Sequence, residues 1–115
     1  MPFLAIATNV QITAQTEDIL LKEGSRVVAS GTGKPEQYVL VRVRGGRPLL
    51  FAGTDAPAAF MEVKSIGFPP HGVKVLTSAL CDLITKHLGV PGDRIYIVFE
   101  DVKASMWGHD GELFG

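Results

Sequence analysis

Two stretches, GKPEQYVLVRV at residues 33–43 and GVPGDRIYIVFE at residues 89–100, are written to one plan. Each opens on a glycine able to stop a helix, sets a proline two residues later (Pro35, Pro91), and then runs into residues with strong β preference. The same order precedes both. An apolar strand (Pro2 to Asn9, and MEVKSIG from Met61 to Gly67) leads to an amphipathic helical stretch, which leads to the quoted segment. The chain is therefore read as a tandem repeat of two β-α-β halves, about 1–57 and 58–115, forming one domain. Parallel strands need a helical crossover, so each half supplies a parallel pair and its helix. The expected fold is α/β (α+β): a four-stranded mixed sheet with both helices on one face. The other face is expected to be apolar and to need cover.

Within the first half, Thr16 is an N-cap candidate followed by Glu17 and Asp18. Leu20, Val27, Val28 and Gly31 then recur at helical spacing, and Gly31-Thr32-Gly33 ends the helix. In YVLVRVRGG, Val39, Val41 and Val43 point one way and Leu40, Arg42 and Arg44 the other. Gly45-Gly46 is read as a turn into a short partner strand, RPLLFAG. In the second half Pro69-Pro70 lead a helix with Val73, Leu76, Leu80, Leu83, Ile84 and His87 on one face, stopped by Gly89 and Pro91.

Composition narrows the function. Eleven basic and twelve acidic residues among 115 leave a net charge of −1 with no basic run, which argues against nucleic acid as a partner. A chain that is 46% hydrophobic and 20% charged has little polar surface to spare, so an apolar face meeting another subunit is expected. No apolar run approaches membrane-spanning length, and MPFLAIATNV lacks a basic leader region, so the chain is expected to be cytoplasmic, with no membrane partner. The lone Cys81 reads as a buried structural thiol.

Individual motifs are weak. SGTGKP follows a helix and has Pro35 where a phosphate-binding loop needs Ser or Thr. Lys34 reads either as a solvated lysine or as an anion clamp. His71, His87 and His109 have no ligand spacing, so no metal is expected; His87 suits a helix C-terminus. Glu100, Asp101, Asp110 and Glu112 read as solvated acids at a strand end and a turn. Pro2 has two readings: a strand-initial proline with no ladder duty, or, once Met1 is removed, a free secondary amine at the head of a buried strand.

Taken in order, MPFLAIATNV, GKPEQYVLV, SIG at Ser65 to Gly67, DRIYI at Asp93 to Ile97, and WG followed by Phe114 resemble the macrophage migration inhibitory factor and D-dopachrome tautomerase family along the whole chain. The resemblance implies a homotrimer with inward-facing sheets and no cofactor. Residue by residue it implies Pro2 as the catalytic amine, Lys34 and Ile66 as substrate contacts, and Ser65 and Lys64 on the same strand. Tyr96 would enter the pocket from a neighbouring subunit, and Trp107 and Phe114 would form an apolar wall. Val98 replaces a pocket asparagine of many relatives, His109 a second tail tryptophan, and Ala58-Ala59-Phe60-Met61 a Cys-x-x-Cys of some members. The implied activity is keto-enol tautomerisation of an aromatic α-keto acid such as phenylpyruvate. Two alternatives stay open: a cytokine-like interaction protein with a vestigial pocket, meeting a protein receptor after leaderless secretion, and a hydratase using the same N-terminal proline.

Overall fold

A computed structural model describes all 115 residues. The first half contributes β1 (Phe3–Thr8), α1 (Ala14–Thr32) and β2 (Leu40–Arg44); the second contributes β3 (Ala59–Ser65), α2 (Gly72–Leu88) and β4 (Ile95–Asp101). A tail hairpin, β5 (Gly108–His109) with β6 (Glu112–Leu113), follows. Sheet order is β2-β1-β3-β4, parallel within each half and antiparallel between β1 and β3 at the centre. The repeat extends to its turns. Pro35 and Pro91 each cap one 3-10 turn, Glu36–Tyr38 and Gly92–Arg94, whose last residue lies just ahead of the strand run. Proline's fixed φ, −60° and −67° here, suits that entry.

The core lies between the sheet and the helices. Leu4 and Ile6 of β1, Met61 and Val63 of β3, Leu20 and Val28 of α1, and Leu76, Leu80 and Ile84 of α2 form one buried cluster. Both helices therefore cover the same sheet face. They run antiparallel and approach closely at one point, where a Cβ added to Gly31 would sit 2.4 Å from Leu76 Cδ2, and one on Gly72 would sit 3.0 Å from the Gly31 carbonyl oxygen. At the other end His87 Nε2 lies 2.8 Å from Glu23 Oε2, so this histidine joins the helices and does more than complement a helix terminus.

Several local expectations shift. The first helix starts earlier, because the Thr13 hydroxyl accepts from the Thr16 N–H at 3.1 Å and is the cap, leaving Thr16 inside the first turn. Its buried face is Leu20, Gly24, Val28 and Thr32. Val73 is exposed instead of packed. RPLLFAG is not a strand: the segment 45–58 runs irregularly, with one isolated bridge, Phe51 to Thr54. Cys81 is half-buried, and burial, then Asp82, holds its thiol above the ordinary 9.0. The open sheet face is mixed. Phe3, Ala5, Ala7, Leu40, Phe60, Tyr96 and Val98 share it with Arg42, Arg44, Glu62, Lys64 and Glu100, and the Arg42 guanidinium lies 5.4 Å from the Phe3 ring centre. No helix is long and apolar enough to cross a membrane.

The close helix approach makes a prediction. Gly31→Ala adds helix propensity, about 1 kcal/mol, but drives a methyl into the buried Leu76 side chain, a class of overpacking that costs about 1–3 kcal/mol. Urea unfolding should show a lower midpoint than wild type; a higher one would mean that Leu76 yields freely.

Candidate functional site

The site is assembled around the head of β1. Phe3 pairs with Lys64 on β3 and with Leu40 on β2, so extending the antiparallel register sets Pro2 against Ser65 and Met1 against Ile66. The Leu40 N–H donates to the Pro2 carbonyl at 3.1 Å, and the Val102 N–H donates to the Ser65 carbonyl at 2.8 Å. Both main chains are thus engaged on their outer sides. That is the non-hydrogen-bonded type of cross-strand pair, in which opposing side chains come closest. Pro2 is fully buried.

Ser65 is buried to 0% exposure, and its hydroxyl is the one buried side-chain polar atom with no hydrogen-bond partner in the chain. Such an orphan costs about 1–3 kcal/mol, a cost that most buried hydroxyls avoid. Ile66, just past β3, is half-buried. The following turn is tied down by Asp101, whose Oδ1 accepts from the Gly67 N–H at 2.9 Å. Asp101 is therefore a structural cap and not merely a solvated acid.

Lys34 reaches this end of the sheet from the exit of α1. Gly33 closes the helix in a left-handed conformation (φ 69°), and Lys34 follows it, with its main-chain N–H 3.4 Å from the Thr32 hydroxyl. Its ammonium belongs to none of the chain's three ion pairs. Burial, and after it the Lys34 charge, holds the N-terminal ammonium below its ordinary value of 8.0. Lowering a cation's pKa by desolvation and by a like charge is the expected sense of both effects.

Lys64 is differently placed. Its Nζ lies 3.7 Å from Glu100 Oε2, its register partner on β4. The pair stands in the wall of a cavity of about 300 Å³ formed with Phe3, Val102, Met106 and Trp107. Phe3, Val102 and Met106 were not singled out from the sequence, and Glu100 read there only as a solvated acid at a strand end. Only the register, which turns Phe3 and Lys64 to one face and lines Glu100 up beside them, reveals them. In the tail, the Phe114 N–H donates to the Trp107 carbonyl at 3.1 Å, and the Phe114 ring stacks on His109 with centres 5.7 Å apart.

Tyr96 is not in this group. It pairs with Phe60, and Phe60 with Ala7, four residues along β1 from Phe3, a separation of roughly 13 Å at the usual strand rise. Its ring lies against Phe51, centres 4.7 Å apart, and the residue is 64% exposed. No group of three or more His, Cys, Asp and Glu side chains is placed to hold a metal ion.

The family model "Macrophage migration inhibitory factor (MIF)" matches residues 1–115. This chain belongs to the macrophage migration inhibitory factor family. A family homologue from Trichuris trichiura is 39% identical over 119 residues, covering 99% of this chain and all of that one, and one from Brugia malayi is 39% identical over 118 residues. Among solved structures, the family homologue from Prochlorococcus marinus superposes with a TM-score of 0.93 at 39% identity, covering 98% of this chain and 99% of that one. The Toxoplasma gondii macrophage migration inhibitory factor gives 0.91 at 34% identity, with 97% and 99% covered. The four-stranded sheet and its two helices are thus the family's fold.

The electrostatics of the strand head can be tested without a substrate. Replacing Lys34 by Ala removes one of the two effects that depress the N-terminal amine, so its pKa should rise toward 8.0 without reaching it, because burial, the larger effect, remains. NMR titration of the terminal amine reads this directly; an unchanged value would place Lys34 outside its field.

Proposed function

We propose that this chain is a keto-enol tautomerase for aromatic α-keto acids such as phenylpyruvate, acting as a homotrimer, with Pro2 as general base and acid after loss of Met1. The observation that carries the reading is the head of β1: a fully buried Pro2 directly behind a terminal amine, that of Met1, which burial and then Lys34 hold below its ordinary value. An amine with a pKa near 8 is only about 10% neutral at pH 7. Loss of Met1 places the amine on Pro2, at the same strand head and beside the same lysine, where the two effects that depress the Met1 amine also favour a neutral nitrogen able to take a proton. Such a base takes the enol hydroxyl proton and returns it to carbon, and the substrate's atoms and electrons are conserved with no outside reagent.

The remaining roles follow from chemistry. Lys34, without a carboxylate partner, suits the substrate's carboxylate or enolate oxygen, and the orphan Ser65 hydroxyl is a ready donor to a substrate oxygen. Lys64, shared with Glu100, is the weaker anion contact. Ile66, Trp107 and Phe114 supply apolar surface for the aromatic ring. Tyr96 lies too far along the sheet to serve its own chain's Pro2, which supports its entry into a neighbour's pocket. The trimer is supported by the exposure of Leu40, Tyr96 and Val98 together on the open sheet face.

Pro2→Gly keeps a terminal amine but loses the ring that aims it. Turnover of phenylpyruvate should fall about 10²-fold, toward the lower end of what a positioned base contributes, while sedimentation still gives three times 12.3 kDa. Full activity would return Pro2 to the role of strand starter. In wild type, a deprotonated amine is required, so kcat/KM should rise with pH through a midpoint below 8.0. A midpoint at or above that value would contradict the depressed amine.

A further inference from the structure

Arg94 is the most heavily engaged side chain in the molecule and belongs to no ion pair. It stands at the end of the 3-10 turn before β4 and donates to four main-chain carbonyls of the segment 45–58: Nε to Pro57 at 2.9 Å, Nη1 to Phe51 at 3.2 Å, and Nη2 to Thr54 at 3.3 Å and Ala56 at 3.0 Å. The guanidinium carbon also lies 5.1 Å from the centre of the Phe51 ring. Phe51 in turn meets Tyr96 with centres 4.7 Å apart and planes tilted 46°. A planar fork with five donors can hold four carbonyls and a ring face at once; an ammonium cannot.

Apart from Arg94 the segment is held chiefly at its two ends. The Gly46 and Arg47 N–H groups donate to the Val10 and Thr8 carbonyls, the Thr8 hydroxyl donates to the Ala58 carbonyl, and Asn9 donates to the Asp55 and Ala56 carbonyls at 3.0 Å and accepts from the Ala58 N–H at 2.8 Å; the ladder between those ends is a single bridge. Tyr96 is therefore fixed on one side by Phe51 and open on the other. Beside the two rings is a cavity of about 330 Å³ with no charged residue in its wall. The arrangement presents the tyrosine outward in one direction.

We propose that Arg94 is a positioning residue for the active site of the neighbouring protomer: it pins Phe51, and Phe51 aims Tyr96. The inference rests on the trimeric tautomerase reading, in which each site combines Pro2 of one chain with Tyr96 of the next. A latch that served only its own fold would affect its own chain's site. A positioning residue acts across the interface.

Mixed trimers separate the two. Arg94→Ala alone should lower kcat/KM for phenylpyruvate about tenfold with circular dichroism and trimer mass unchanged. Co-refolding it with Pro2→Gly chains should restore activity well above the average of the two parents, because an intact Pro2 then meets a neighbour with intact Arg94. Phe51→Leu, which spares the carbonyl hydrogen bonds, should be rescued by Pro2→Gly chains in the same way, and it decides the matter if Arg94→Ala does not fold. Full activity of the single variants, or failure of mixing to restore it while wild type remains active and Pro2-dependent, overturns the proposal. Wild type lacking Pro2-dependent turnover overturns the tautomerase reading itself and this proposal with it.

Discussion

The antiparallel pairing of β1 with β3, Phe3 to Lys64 through Thr8 to Ala59, is the constraint on which the rest depends. Each β-α-β half could form its own parallel pair, but only this seam joins them into one sheet and brings Leu4, Ile6, Met61 and Val63 into a common core. It also places the chain's first residues beside the end of β3. A slip of one residue would turn Pro2 and Ser65 to opposite faces and would put the Lys64 side chain against the core. Stability and site geometry are thus set by the same register.

The chemistry follows from burial at that seam. Amines in water are mostly protonated at neutral pH, and a base that must first lose a proton is a poor one. Enclosing the terminus and setting an uncompensated lysine near it favour the neutral form, the same lysine being suited to an anion. The division between the two lysines is electrostatic as well. Lys64 faces Glu100, whereas Lys34 has no carboxylate partner and acts on the terminal amine.

Much of this was legible in the sequence, where the signal was local. The two proline-led turns and the period-two alternation of VLVRV are short-range features, and they placed both halves of the sheet. The apolar run of RPLLFAG misled because β preference competes with tertiary hydrogen bonding: Arg94 takes the Phe51 carbonyl within it and those of Thr54, Ala56 and Pro57 just after it, so a side chain and not a ladder orders that end of the segment. Thr13 and Thr16 compete for the same cap, and composition does not choose between them. Phe3, Val102 and Met106 carried no signal, and Glu100 read only as a solvated acid, because they join Lys64 and Trp107 only through cross-strand register and the folding back of the tail. The expectation that Tyr96 serves a neighbour's site comes from family resemblance alone; the register adds that it lies far along the sheet from its own chain's Pro2.

The central claim is that a free Pro2 nitrogen is the reacting group. Its most direct test is to separate chains that retain Met1 from chains that have lost it, verify each by intact mass, and measure phenylpyruvate turnover in both. Activity should track the Met1-lacking fraction, with the capped chains near background and still folded; equal turnover in the two fractions would contradict the account.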